Sequence, residues 1–515
     1  MKIPSLYSPH AQNFGMGSWP ARRASLAPDR IAWRFEGTET SYAEVDRRTR
    51  RLSNSLIAAG IKPGDRVGYI GFNHPALLEM LFAAGRMGAI IVLINARLSA
   101  GEVEYIARDS GISLLAYGRE QVEVARAVVE ATGIDLSLNV DKVAEGEAFS
   151  RDYEEFLQTG TEHSQFAEVD FDAPCLIMYT SGTTGRPKGA ILSHANMFFS
   201  ATNVLLSADI RPDDVSLAMA PLFHIAGLNG VMMPVFLKGG TNVIHRSFNP
   251  QVALDELQNG GVTSMFAVPA MLEAMYALPE FADAQFPELR TLIGGGAPVP
   301  DRTLRAWADK GVGIQQGYGF TEAAPSVTLL GPEFALTKQG SAGKPQFFMD
   351  VRVLHPEGRD AEIGESGELL ARGLNIMLGY WNREQDTSDS FIDGWYRSGD
   401  IAAVDEDGFH FLKDRSKDMY ISGGENVYPT EVENTLLNVP GVAEAAVIGI
   451  PDEKWGEVGR AFVVVAPGET HTSESILTGL EQNLARYKLP KSVVFVDSLP
   501  RTATGKVQKH LLRDK

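Results

Sequence analysis

The fold is decided by Thr180-Ser181-Gly182-Thr183-Thr184-Gly185-Arg186-Pro187-Lys188-Gly189, a stretch rich in hydroxyl groups and glycine. It follows the apolar run Cys175 to Tyr179 and precedes Ala190-Ile191-Leu192, and such flanks are typical of strands. The glycines allow successive backbone N–H groups to turn toward an anion, while Lys188 and Arg186 add positive charge. The stretch therefore predicts a loop that holds phosphate groups, with ATP as the first candidate ligand.

The spacing of this loop excludes one large class of nucleotide-binding protein. A Walker A loop has the pattern G-x-x-x-x-G-K-[ST], whereas here Gly182, Gly185 and Lys188 are three residues apart and Gly189 follows the lysine. The chain is therefore not a P-loop NTPase. A flexible Ser/Thr/Gly linker is the alternative, and the apolar flanks argue against it.

Composition restricts the class of protein further. A chain of 515 residues is too long for a single hydrophobic core, so two or more domains are expected. The net charge of −18 argues against a nucleic-acid partner. One cysteine, Cys175, excludes an internal disulfide and suits a reducing compartment. Neither a signal peptide nor an apolar run of transmembrane length is evident, and a cytoplasmic location is expected.

The pattern of apolar residues predicts an α/β fold, because strands alternate with helices and such alternation builds parallel sheets covered by helices. Strands are predicted at Arg66–Ile70, Ala89–Ile94, Val215–Ala220, Thr263–Val268 and Arg290–Ile293, and helices at Pro75–Met87 and Val299–Trp307. The last hundred residues predict a smaller α+β unit, with strands at Ala443–Ile450, Ala461–Val465 and Val493–Val496, a helix at Glu474–Leu484, and a helix from Pro429 that is capped by Thr430 and Glu433.

Five later motifs give the chain a resemblance to a known family. They are Tyr318-Gly319-Phe320-Thr321-Glu322, Tyr396-Arg397-Ser398-Gly399-Asp400, Lys413-Asp414-Arg415-Ser416-Lys417-Asp418, Ser422-Gly423-Gly424-Glu425-Asn426 and Pro500-Arg501-Thr502-Ala503-Thr504-Gly505-Lys506. With the glycine-rich loop, they resemble the motifs of the adenylate-forming superfamily, in the family's order. Within it, the chain is most similar to bacterial fatty-acyl-CoA ligases and feruloyl- or coumarate-CoA ligases.

The resemblance implies an AMP-forming acyl-CoA synthetase that uses ATP, Mg²⁺ and coenzyme A. Such an enzyme joins a carboxylic acid to AMP with release of pyrophosphate, and then transfers the acyl group to coenzyme A. An ionised carboxylate needs no general base, so the enzyme chiefly positions its substrates and neutralises charge. The expected acid is an apolar monocarboxylate, either a fatty acid or a hydroxycinnamate.

The resemblance also assigns roles to individual residues. Lys506 would bridge the carboxylate and the α-phosphate, Glu322 would hold Mg²⁺, and His224 would lie near the substrate carboxylate. Ala226, Gly227 and Gly294 would line the acyl site. Nucleotide or coenzyme A would contact Thr180, Ser181, Gly182, Thr183, Thr184, Gly185, Lys188, Gly295, Gly296, Ala297, Gln316, Gly317, Tyr318, Gly319, Thr321, Asp400, Arg415, Gly423 and Gly424.

Several of these residues have simpler explanations from the sequence alone. His224 lies among apolar residues and suits a buried core position. Glu322 suits the start of a helix, and Asp400 suits a turn. The glycines at 423 and 424 suit the turn at the end of a strand.

The charged run Lys413 to Asp418 is the expected domain boundary. The resemblance places a hinge at Lys417, between a large N-terminal domain (1–414) and a small mobile α+β domain (415–515). No carrier module is evident after the small domain, which favours free coenzyme A. Two alternatives remain open, an enzyme that loads a separate carrier protein and a catalytically silent nucleotide-binding protein. A homodimer is compatible with each.

Overall fold

We analysed a computed structural model of the chain, which describes residues 13–143, 148–163, 167–180, 187–415, 418–422, 425–427, 429–452, 455–481, 484, 486–501 and 507–513. Nine of the predicted site residues lie outside these ranges, namely Ser181, Gly182, Thr183, Thr184, Gly185, Lys417, Gly423, Gly424 and Lys506.

The strands, numbered along the chain, are β1 Ile31–Phe35, β2 Thr38–Ser41, β3 Arg66–Ile70, β4 Ile90–Ile94, β5 Ile112–Tyr117, β6 Leu136–Asn139, β7 Arg151–Asp152, β8 Pro174–Thr180, β9 Lys188–Ser193, β10 Val215–Ala218, β11 Thr241–Ile244, β12 Ser264–Ala267, β13 Thr291–Gly295, β14 Ile314–Gly319, β15 Ser326–Leu329, β16 Ser341–Pro345, β17 Met349–Leu354, β18 Gly367–Gly373, β19 Gly379–Tyr380, β20 Phe391–Ile392, β21 Trp395–Val404, β22 His410–Arg415, β23 Tyr420–Ser422, β24 Glu425–Val427, β25 Val442–Asp452, β26 Gly456–Val465 and β27 Ser492–Phe495.

The α-helices are α1 Trp19–Leu26, α2 Tyr42–Ala58, α3 Pro75–Met87, α4 Ala100–Ser110, α5 Val122–Thr132, α6 Tyr153–Gln158, α7 His194–Ser207, α8 Ile225–Gly227, α9 Met233–Lys238, α10 Pro250–Asn259, α11 Pro269–Tyr276, α12 Asp301–Ala308, α13 Glu384–Asp389, α14 Pro429–Leu437 and α15 Ser473–Glu481.

The described residues form three sheets, of 14, eight and five strands. The largest has the order β17-β18-β21-β22-β16-β15-β14-β13-β12-β10-β11-β1-β2, with β20 paired to β21, and the second has the order β19-β9-β8-β4-β3-β5-β6-β7. The third consists of β24-β23-β26-β25 with β27 beside β26, and it has a hydrophobic core of its own that includes Tyr420, Val432 and Leu480. The predicted fold class is confirmed: mixed sheets and helices form a large N-terminal part, and a smaller α+β part follows.

The direction of the strands determines where a ligand can bind. In the largest sheet β11, β10, β12, β13 and β14 are parallel neighbours, while β15 runs antiparallel to β14. Parallel strands end at the same edge of a sheet, and ligands of open α/β sheets bind at the carboxyl edge. The segments after β10, β13 and β14 therefore come together at one edge.

One predicted helix start and one predicted helix cap are wrong, and proline explains both, whereas the helix predicted from Pro429 begins at that residue. The helix predicted from Val299 begins at Asp301, because Pro300 restricts the residue before it to extended backbone. Thr430 does not cap α14 but lies inside its first turn, since the helix begins at Pro429, whose fixed φ suits the first helical position. The strand predicted to reach Ala220 ends at Ala218.

No helix in the described ranges is long and apolar enough to cross a bilayer. Cys175 is buried in the core, and burial raises the pKa of its thiol well above the ordinary value. A buried thiol that resists ionisation is a poor nucleophile. This excludes Cys175 as the reactive group of the protein.

Candidate active site

The glycine-rich stretch is the connection of a β-hairpin. β8 and β9 pair antiparallel, with Thr180 opposite Lys188, so the two ends of the stretch are held side by side. β9 also pairs with β19, which places Tyr380 opposite Ala190. The strand that carries Lys188 therefore lies between the apolar strand before the loop and a short strand from a distant part of the chain.

Lys188 has two partners near this hairpin. Its ammonium group forms an ion pair with the carboxylate of Asp386 on α13. It also lies over the ring of Tyr380, 5.6 Å from the ring centroid. Neither partner was predicted from the sequence.

Tyr380 lies between Lys188 and Glu322, the carboxylate predicted to hold Mg²⁺. Its hydroxyl group donates a hydrogen bond to Glu322 Oε1 at 2.7 Å and lies 3.3 Å from the hydroxyl oxygen of Tyr396. Burial, followed by the charge of Glu322, raises the pKa of Tyr380 far above its ordinary value, so the phenol stays protonated and remains a donor. One aromatic side chain therefore contacts both charged groups.

Glu322 lies in a tightly fixed turn after β14. Glu322 is buried, with 8% of its surface exposed. Its backbone carbonyl oxygen accepts a hydrogen bond from Met377 N at 2.7 Å. Asn229 and Asn375 hold the next residues, because their side-chain amides donate to Ala324 O and Ala323 O, each at 2.6 Å. Glu322 is the middle residue of a 3-10 turn, Thr321–Ala323.

A second carboxylate, Asp400, is also held by a phenol. Tyr318, at the end of β14, donates its hydroxyl hydrogen bond to Asp400 Oδ2 at 2.6 Å. Asp400 lies within β21 and pairs in register with Arg415 of β22, so two residues predicted to contact nucleotide or coenzyme A are neighbours on adjacent strands. Asp400 thus lies in a strand, directly after Gly399, whose φ is positive.

Two stretches of predicted site residues, 294–297 and 316–319, lie at the ends of the adjacent strands β13 and β14. Gly294 pairs in register with Gln316 and Gly295 with Gly317, and Gly296 and Ala297 follow as exposed residues. The side-chain oxygen of Gln316 accepts a hydrogen bond from Val299 N at 3.2 Å.

Gly319 has a structural reason to be glycine. A Cβ atom there would lie 1.7 Å from the carbonyl oxygen of Pro325. Its lack of a side chain is therefore required by the turn itself, whatever ligand binds nearby.

His224 follows β10 at the same edge and precedes α8. Burial, with a smaller effect of the positive charge of Arg97, lowers the pKa of His224 to about 4, so the ring is neutral at neutral pH. Its Nε2 atom is buried without a hydrogen-bond partner among the described residues. Buried polar atoms are normally hydrogen-bonded, so this nitrogen is suited to a polar atom of a ligand.

Two small residues after His224 differ in their surroundings. Ala226 is partly exposed, whereas a Cβ atom on Gly227 would lie 2.2 Å from the carbonyl oxygen of Pro221. Backbone packing therefore already requires glycine at position 227, and its predicted place in the acyl site stays a prediction. Ala226 is the better candidate for a residue that limits substrate size.

The residues that position the charged groups carry no signal in the sequence. Tyr380 and Asp386 lie between the recognised motifs, and no periodicity or spacing distinguishes them. Asn229 and Asn375 are likewise distant in sequence from Glu322. Only the fold brings them to the site.

Comparisons with known proteins agree with this geometry. A family model described as AMP-binding enzyme matches residues 20–381, and a model described as AMP-binding enzyme C-terminal domain matches residues 431–506. The chain is 46% identical over 502 residues to a feruloyl-CoA synthase of Amycolatopsis, covering 98% of this chain and 99% of the relative.

Two further matches are similar in extent. The long-chain-fatty-acid–CoA ligase FadD13 of Mycobacterium tuberculosis is 38% identical over 504 residues, covering 96% of this chain and 98% of the relative. The solved structure of o-succinylbenzoate CoA synthetase from Bacillus subtilis, in complex with an acyl-adenylate intermediate, matches with a TM-score of 0.86 and 33% identity, covering 97% of this chain and 98% of that one.

Proposed function

This chain is an AMP-forming acyl-CoA ligase of the AMP-binding enzyme family, and we propose that its acid is an aromatic propenoic acid of the ferulate type. The full-length similarity to a feruloyl-CoA synthase carries this proposal. The buried, unpartnered ring nitrogen of His224 at the sheet edge suits a polar atom of either kind of acid. A fatty acid is the second candidate, supported by the full-length similarity to FadD13.

In the first half-reaction the ionised substrate carboxylate attacks the α-phosphate of ATP, and the bond to pyrophosphate breaks. Lys506 would stabilise the negative oxygens that are brought together, and Lys188 with the glycine-rich loop would hold the leaving pyrophosphate. The neutral ring of His224 would orient the acid without adding a charge of its own.

Glu322 would hold Mg²⁺ together with phosphate oxygens and water. Magnesium prefers oxygen ligands and needs only one or two protein carboxylates when phosphates complete its shell, so a single buried glutamate suits it. The ion, when bound, would neutralise phosphate charge. Tyr380 would keep one carboxylate oxygen of Glu322 oriented through its hydrogen bond.

Asp400 would accept hydrogen bonds from the ribose hydroxyls, beside Arg415, and Tyr318 would stack on adenine. Thr321, Gly295, Gly296, Ala297, Gln316 and Gly317 would complete the nucleotide site. Tyr318 is already fixed by its hydrogen bond to Asp400, so adenine would meet a ring whose orientation is set in advance.

The second half-reaction would use a different arrangement of the small domain. We place the boundary between 1–414 and 415–515 and the hinge at Lys417. Rotation there would withdraw Lys506 and bring Gly423 and Gly424 to the adenylate, where they would line the path of the coenzyme A thiol. A cytoplasmic location and a homodimeric assembly remain predictions.

A screen of acids tests the proposed substrate. AMP release that depends on coenzyme A would be measured with ferulic, cinnamic and benzoic acids and with fatty acids of several lengths. We expect the highest kcat/KM for a hydroxycinnamic acid, whereas a higher value for a long-chain fatty acid would reject the aryl assignment.

The same assay separates the remaining alternatives. Release that requires a phosphopantetheinylated carrier protein would indicate a carrier-loading enzyme. A chain that binds ATP but shows no pyrophosphate exchange with any acid would be catalytically silent.

A further inference from the structure

Lys188 lies at the end of the glycine-rich stretch, and its positively charged ammonium group already has a partner in the protein. Its ammonium group pairs with the carboxylate of Asp386, and the side chains are 17% and 34% exposed, respectively. Any phosphate group that uses Lys188 must therefore approach an ammonium group that is already engaged by an anion.

The position of Asp386 is fixed by the backbone around it. In the same helix, Thr387 Oγ1 accepts a hydrogen bond from the backbone N–H of Tyr380 at 2.8 Å. Tyr380 belongs to β19, which pairs with the strand that carries Lys188. The helix that carries Asp386 is therefore tied by a hydrogen bond to the strand beside Lys188, which places the carboxylate near the lysine.

The arrangement also separates two carboxylates. Tyr380 places its ring against Lys188 and its hydroxyl group against Glu322. Lys188 pairs with Asp386 and not with Glu322, which leaves Glu322 with a neutral phenol as its partner. Asp386 thus pairs with Lys188, and the negative charge of Glu322, the predicted Mg²⁺ ligand, is left without a cationic partner in this contact.

We propose that Asp386 is a positioning residue that holds Lys188 in the nucleotide-free protein and is displaced from it by the phosphates of ATP, so that Asp386 lowers the affinity for ATP. This inference rests on the proposed role of Lys188 in holding phosphate. A partly exposed ion pair contributes little net stability, so a polyanion with several charges can replace it. Two anions cannot both stay close to one ammonium group without repelling each other.

Equilibrium binding of Mg-ATP and of AMP to Asp386→Asn tests the proposal directly. The amide keeps the size of the side chain and removes the charge. We expect ATP to bind roughly two- to fivefold more tightly than to the wild-type protein. AMP, which has no β- or γ-phosphate, is expected to bind with unchanged affinity. Asp386→Ala serves as a second variant if the amide variant does not fold.

Asp389→Asn is the matched control, because Asp389 is an exposed residue of the same helix whose side chain accepts a hydrogen bond from Gln385 at 2.7 Å. It removes the same charge from the same element without touching Lys188. A gain in ATP affinity as large as that of Asp386→Asn would show that long-range repulsion is responsible, and would overturn the proposal.

A double-mutant cycle with Lys188→Met isolates the contact. In the absence of the lysine, Asp386→Asn is expected to change ATP affinity no more than Asp389→Asn does. The proposal is overturned if the gain persists without Lys188, if AMP gains equally, or if ATP binding to Asp386→Asn is unchanged or weaker. These measurements need no acid and no turnover, so a failure of the proposed ligase reaction would be seen separately, as absent pyrophosphate exchange in the wild-type protein.

Discussion

The two charged regions of the site hold their side chains in opposite ways. Near the end of β14, Glu322 and Asp400 are each held by a phenol, which donates a hydrogen bond but leaves the negative charge in place. At the hairpin, Lys188 is held by a carboxylate, which offsets its charge. In the proposed reaction the carboxylates would therefore be available to a cation or a sugar hydroxyl, whereas the lysine would exchange one anion for another.

Lys506→Ala should have the largest effect, because this second cation is assigned to the reacting oxygens themselves. Adenylation is expected to fall by about 10² to 10³ or more. Thioester formation from chemically prepared acyl-adenylate and coenzyme A should persist, since that step would use another orientation of the small domain. Both half-reactions would be followed by quenched-flow assays, and equal loss in both would refute the division between the two orientations.

Glu322→Gln tests whether the negative charge of Glu322, which accepts a hydrogen bond from Tyr380, is needed for adenylation and for binding Mg²⁺. The amide still offers an oxygen to Tyr380, but it is a poor ligand for Mg²⁺. We expect kcat for adenylation to fall by about 10², with a higher Mg²⁺ concentration needed for half-maximal rate. Glu384→Gln, in the exposed first turn of α13, is the control for loss of one negative charge. An unchanged magnesium dependence would contradict the metal assignment.

Asp400→Asn tests the second phenol-held carboxylate in the same way. Loss of a charged acceptor for the ribose hydroxyls typically costs about 1.5 to 3 kcal/mol, so KM for ATP should rise roughly 10- to 150-fold. Tyr318→Phe, which removes the donor and keeps the ring, should have a smaller effect. If the folded Asp400→Asn variant binds ATP as the wild-type protein does, Asp400 does not hold the ribose.

Gly319→Ala distinguishes a glycine needed by the fold from one needed by the ligand. The added methyl group would overlap the carbonyl oxygen of Pro325, so the free energy of unfolding should fall by about 3 kcal/mol, measured by urea denaturation. Gly317→Ala is the matched control, because its nearest neighbours would lie at an ordinary 3.5 Å. Similar stability of the two variants would contradict the steric explanation.

His224→Gln should have the smallest effect, on the pH dependence of stability. Burial lowers the pKa of His224 to about 4 from the usual 6.5, so the unfolded chain binds more protons than the folded protein between these values. Stability is therefore lost as the pH falls through this window. The variant should show a shallower decline between pH 6.5 and 4.

Part of this decline should remain in the variant, because burial also lowers the pKa values of His74 and His194 to about 4. The exposed His163 provides the control substitution, His163→Gln. Equal slopes in His224→Gln and the wild-type protein would show that His224 does not contribute.

The sequence by itself determined the fold class, the order of most strands and helices, and the type of ligand, because apolar periodicity and glycine-rich loops are local properties of the chain. It also identified Glu322, Asp400 and Lys188 as charged candidates. It could not show what holds them, since Tyr380, Asp386, Asn229 and Asn375 reach the site only through pairings between distant strands and turns. Nor could it show that backbone packing already requires glycine at position 227. Partners and packing distances depend on which segments meet in space, and only the tertiary structure decides that.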